Sequence, residues 1–138
     1  MGLSILLFKI KNDFNDVKIF SFVTIYTDSY SNLLRYKDDF YRIAVSATLP
    51  FELQHKMDAW FYDLSPSKSL TDMFERDELD INEYTDLYQK EMSATPAISN
   101  IKWIKDYSRR NDVVLLCYEP ENMNKCHRHI LKQLIENS

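Results

Sequence analysis

Between positions 117 and 128 the chain gathers two thiols, a carboxylate, an imidazole and a guanidinium: Cys117, Glu119, Cys126, His127 and Arg128. A thiol acts as a nucleophile only as its thiolate, a form favoured by the positive end of a helix and by nearby cations. A helix starting near Asn124 puts Cys126 in its first turn, which makes it the better of the two candidates for a reactive thiol. Cys117 sits in an apolar run and reads either as a buried space-filler or as a partner for Cys126. The two sulfurs approach disulfide reach only if strand end and helix start converge. His127 suits proton transfer near neutral pH, with Glu119 as its orienter or base; the alternative is a solvent-exposed helix residue. Arg128 offers a two-pronged donor to a phosphate or carboxylate at the helix start, or else pairs internally with Glu119 or Glu121. His129 falls on another face and is set aside.

These side chains are also metal-capable, but Cys-x8-Cys-His matches no familiar ligand spacing and adjacent residues on a helix diverge, so no metal is expected. A phosphatase-like Cys-x5-Arg loop is excluded, because Met123 and Lys132 stand six residues after Cys117 and Cys126.

Positioning such a site requires a strand that ends at Cys117 and a helix that begins just before His127. The run from Val113 to Tyr118 is continuously apolar between Asp112 and Glu119, the pattern of a strand buried on both faces of a parallel sheet. Ile130, Leu131, Leu134 and Ile135 give the last helix its buried face. Further strands are expected at Leu3 to Ile10, Val17 to Tyr26 and Phe40 to Ser46, with Pro50 beyond the last. Helices are expected after Ser65-Pro66 (Leu70, Met73, Phe74), after Asp80 with Glu83 as a capping box (Ile81, Tyr84, Tyr88, Met92), and after Thr95-Pro96 (Ile98, Ile101, Ile104, Tyr107), the last closing at Arg109 and Arg110. Strands mixed with helices around a late buried strand predict one α/β domain over residues 1–138, its parallel strands joined by crossovers. Ligands in such sheets bind beyond the carboxyl ends of the strands. Tyr26, Thr27, Ser46 and Thr48 follow or end strands and are candidates to line the cleft, as is the hydroxyl of Tyr88. Trp60 and Trp103 are expected in the core.

Composition agrees and removes several classes of function. The chain has 138 residues, 45% hydrophobic and 14% aromatic, enough to bury a single core. Its only glycine is Gly2, so no G-x-G-x-x-G fingerprint, P-loop or G-x-S-x-G elbow exists. A net charge of −4 does not advertise a general nucleic-acid binder, yet residues 101–132 hold seven bases against four acids, which leaves room for a local anion site. Two cysteines are too few for a disulfide scaffold. The start lacks a usable signal peptide, and its apolar run is too short to span a bilayer, so a cytoplasmic protein with reduced thiols and no membrane partner is expected.

The string Leu115-Leu-Cys-Tyr-Glu119 followed by Cys126-His-Arg128 resembles the C-terminal signature of the domain-of-unknown-function 488 family. Ile25-Tyr-Thr27, Ala44-Val-Ser46 with Pro50, Trp60 with Leu64-Ser-Pro-Ser67, and the helix of Tyr84 and Tyr88 follow in the order that family shows, across about residues 17–136. The resemblance implies a compact Rossmann-like domain, a mostly parallel sheet flanked by helices, with Cys117, Glu119, Cys126, His127 and Arg128 forming the site. It names no cofactor and leaves the activity largely unassigned, with some members suspected of nucleic-acid or nucleobase processing. Residues 3–16 precede the family-like region, and Asp28-Ser-Tyr-Ser31 departs from the family pattern, so no N-terminal catalytic residue is carried over. The leading expectation is a small enzyme acting on an anionic substrate, with a nucleotide or nucleic acid among the candidates. A non-catalytic binding module and a thiol redox or metal sensor are the alternatives.

Overall fold

A computed structural model of the chain describes residues 24–118 and 126–138. Four strands, β1 (Ile25–Ser29), β2 (Tyr41–Ala44), β3 (Ala59–Trp60) and β4 (Val113–Cys117), form one sheet in the order β1-β4-β2-β3 with every pair parallel. Five α-helices accompany it: α1 (Phe51–Gln54), α2 (Lys68–Glu75), α3 (Ile81–Met92), α4 (Ala97–Ser108) and α5 (His127–Asn137). The architecture is α/β and Rossmann-like, with its parallel sheet flanked by helices.

Period-two alternation along β4 divides the core in two. Val113, Leu115 and Cys117 face a large cluster with Leu70, Tyr84, Tyr88, Ile104, Leu131 and Ile135 of the longer helices. Val114 and Leu116 face a smaller one with Tyr30, Leu33, Ala44 and Leu49. All five residues of β4 are buried, as a strand covered on both faces requires. Its last side chain, Cys117, therefore emerges on the face that carries α5.

Helix starts follow local chemistry. Asp80 caps α3 and Glu83 answers it, a reciprocal capping box that satisfies two helix-start amides. The cap of α2 is Ser67 rather than Ser65: the Ser67 hydroxyl accepts from the Leu70 amide, whereas the Ser65 hydroxyl donates to the Pro66 carbonyl. Pro96 immediately precedes α4, and no side chain caps that helix. Of the strand expected from Val17 to Tyr26, residues 17–23 lie outside the described residues; β1 begins at Ile25 and continues to Ser29, because its register with Val113 to Cys117 extends that far. The expected strand Leu3 to Ile10 lies outside the described residues. Both tryptophans depart from the core placement expected of them. Trp60 is 37% exposed with its indole N–H donated to the Ser46 carbonyl, and Trp103 is 42% exposed, stacked on Tyr107.

Candidate active site

Where β4 ends and α5 begins, Cys117 and Cys126 come together. Cys126 is the N-cap of α5, with extended backbone (φ −84°, ψ 137°), so its side chain is not bound to the helical spacing that separates neighbours within a turn. This corrects the expected divergence of Cys126 from His127. The two sulfurs and a ring nitrogen of His127 lie within 4.8 Å of one another. Neither cysteine is in a disulfide, and both are buried.

The tautomer of His127 follows from its partners. Nε2 is 2.8 Å from the Val45 carbonyl, which only accepts, so Nε2 carries a proton. Nδ1 faces Cys126 Sγ at 3.9 Å and can receive or return that thiol's proton. Tyr88 presents an edge-on ring to the imidazole, centroids 5.7 Å apart, while its own hydroxyl donates to the Leu64 carbonyl. His127 is buried, which removes the reading of it as an exposed helix residue.

The Cys126 thiol is held well below its ordinary value of 9.0. The largest cause is the Cys117 S–H donated to the Cys126 sulfur. Burial opposes it, and the hydrogen bond and positive charge of His127 and the Arg128 backbone N–H add to the lowering. Cys126 is thus a thiolate in a dry setting, with a second thiol and an imidazole beside it.

A cavity of about 460 Å³ opens over this group. Its wall includes Cys117, Cys126 and His127, with Ser46 and Thr48 from the segment after β2 and Tyr84 from α3. Ser46 donates to the Thr48 carbonyl at 2.7 Å and, with its one proton so used, accepts from the Tyr30 hydroxyl at 2.6 Å. Burial pushes the Tyr30 hydroxyl well above the usual phenol range, so it stays a donor.

Other candidates sit elsewhere. Tyr26 is not part of the cavity wall: it pairs in register with Val114, on the sheet face opposite Cys117, and its ring meets Phe40 edge-on at 5.3 Å. Thr27 shares the face of Cys117 but pairs with Leu115, two residues short of the strand end. Tyr88 is fully buried behind His127 rather than open to the cavity. Arg128 is fully buried too, and its side chain is absent from the cavity wall. Glu119, with Glu121, lies outside the described residues. Sequence alone does not single out Ser65, Thr71, Phe74 and Glu75 as site residues, yet they line the same cavity as the thiols. Thr71 and Glu75, one turn apart beside Phe74, were legible as a polar stripe on α2. The Val45 carbonyl, as backbone, leaves no mark in residue type.

The profile of DUF488-N3a, the active DUF488-N3 subclade, matches residues 25–138. The chain belongs to the DUF488 family. No curated protein and no solved structure matches it. The matched span takes in the whole described part of the DUF488 domain from β1 onward, including both thiols. Cys117, Cys126 and His127 of this domain are also the three donors, among the described residues, that could hold a metal ion. His127 would ligate through Nδ1, with its Nε2–H already anchored on a carbonyl as metal-binding imidazoles commonly are.

Proposed function

We propose that this DUF488 domain is a small enzyme whose nucleophile is the Cys126 thiolate, with His127 moving the proton. The observation that carries the proposal is the placement of Cys126 Sγ beside both the Cys117 thiol and His127 Nδ1, on the wall of one cavity. The thiolate attacks an electrophilic centre of the bound substrate, and the imidazolium returns a proton to the departing group through Nδ1. The description of the matched subclade as active supports a working site.

The substrate we favour is a small anionic molecule, a nucleotide or nucleic-acid component among them. A cavity of about 460 Å³ is within the range of small-molecule sites. The positive end of the eleven-residue α5 lies at Cys126, and Thr48 and Thr71 supply hydroxyls around the opening. In this reading the Val45 carbonyl orients His127, Glu119 is left as an auxiliary base, and Arg128 supports the start of α5 from the interior. We assign the protein to the cytoplasm, where two adjacent thiols stay reduced and Cys126 is available as the thiolate that this reading needs. Among the described residues no helix is long and apolar enough to cross a membrane.

Alkylation by iodoacetamide over a pH series tests the proposal. The expected Cys126 rate stays nearly level as pH falls from alkaline to mildly acidic, because the thiolate persists. A rate that drops about tenfold per pH unit below pH 8, as an ordinary thiol's does, would refute it.

A further inference from the structure

A single attacking thiolate uses Cys117 only as a hydrogen-bond donor to Cys126. Cys117 ends β4 only 3% exposed, yet it lies on the cavity wall with its sulfur within 4.8 Å of both Cys126 Sγ and a ring nitrogen of His127. A cysteine that only filled space would be equally served by aliphatic neighbours. This one donates its S–H to the Cys126 sulfur, so the two sulfurs are already turned toward each other.

We infer that Cys117 is a resolving thiol and that the chain reduces a small disulfide, an inference that rests on Cys126 being the nucleophile proposed above. In the first step Cys126 attacks one substrate sulfur; the substrate S–S bond breaks, and the departing thiolate takes the proton on His127 Nδ1. In the second step Cys117 gives its proton to the now neutral imidazole and attacks Cys126 Sγ. The mixed disulfide breaks, a Cys117–Cys126 bond forms, and the second substrate thiolate leaves with the proton from His127. Two electrons pass from the cysteine pair to the substrate, which departs as two thiols, and a cellular dithiol returns the pair to its reduced form by the same exchange chemistry.

Size and burial choose the substrate class. Both cysteines are 3% exposed and line a cavity of about 460 Å³, a volume that suits a small molecule better than the disulfide of a folded protein. The Thr48 and Thr71 hydroxyls of the wall and the positive end of α5 favour a disulfide bearing carboxylates or phosphates.

The probe is cystine, a small disulfide with a carboxylate on each half, mixed with the reduced full-length chain and followed by intact mass and by released cysteine. The wild type is expected to release two cysteines per chain and to end two hydrogens lighter, with no adduct. Cys117→Ala is expected to release one and to retain a cysteinyl group on Cys126. A wild type that keeps the cysteinyl adduct, or gains one on each thiol, overturns the resolving role while leaving Cys126 a nucleophile. Rapid alkylation without any reaction with cystine overturns the disulfide substrate alone. Cys126 slow toward both reagents overturns this inference together with the proposed function. The wild-type measurements decide even if Cys117→Ala does not fold.

Discussion

At the scale of single residues, His127 links the backbone to the sulfur chemistry. Its Nε2–H is held by the Val45 carbonyl at 2.8 Å, so the ring cannot turn without giving up a buried hydrogen bond, and Nδ1 stays aimed at Cys126. Replacing it with alanine has two separable effects. The Val45 carbonyl is left without its donor, an expected loss of about 1–3 kcal/mol in urea unfolding. The Cys126 thiolate also loses a charge partner, so alkylation at about pH 6 should fall by roughly tenfold or more and recover toward alkaline pH. A His127→Ala protein whose alkylation profile matched the wild type would mean that the imidazole orients the fold and not the thiol. Asp28 shows the contrasting structural use of a buried polar group. Burial alone would raise its carboxyl, but hydrogen bonds from Tyr36, Asn32 and the Ser29 amide and the charge of Arg35 outweigh it and lower it instead. Every strong donor around Asp28 belongs to the turn after β1, so it organises that turn and takes no part in the cavity.

Among the elements, α2 and α3 are held by their first turns, and these were readable from sequence to different degrees. The Asp80 and Glu83 capping box is a local pattern, since both partners lie within three residues, and the structure contains it as expected. The cap of α2 is shifted by two residues because Ser65 and Ser67 flank one proline and only the Ser67 hydroxyl reaches the Leu70 amide. Ser67 also binds Glu91 of α3 through both its amide and its hydroxyl, which ties the two helices together. Ser67→Ala should therefore lower stability by about 1 kcal/mol, with Ser65→Ala costing less; equal urea midpoints for the two variants would contradict the assignment of the cap. The strand β4 was legible in full, because a run without a polar residue has no face to offer to water and must lie inside a sheet. Tyr26 was misplaced for the related reason that a strand alternates faces, so its position in register, and not its closeness to the strand end, decided which side it joined.

For the whole molecule, the thiolate couples stability to pH. With the folded thiol held below 9.0, the native state at neutral pH carries a thiolate while the unfolded chain carries a thiol. In a His127→Ala background, where no imidazole keeps the thiol's proton, the unfolded state binds the additional proton, so stability rises with pH up to the unfolded value. The contribution is complete above it and is lost as pH falls toward the folded value. Between about pH 7 and 9 His127→Ala should gain up to about 1.4 kcal/mol per pH unit relative to the double variant that adds Cys126→Ser; parallel curves for the two proteins would show that the thiolate is not stabilised by folding. The sequence by itself determined the α/β class, the buried late strand and the helix that follows it, since these rest on apolar periodicity and on caps read over a few residues. It also marked Cys117, Cys126 and His127 as chemically interesting. Only the tertiary structure decided that they meet, because the distance from strand end to helix start depends on how α5 packs back across the sheet. It alone supplied the Val45 carbonyl and the α2 wall of the cavity, and it drew Tyr88 and Arg128 into the interior. Those contacts join segments far apart in the chain, where residue type carries no record of the neighbour.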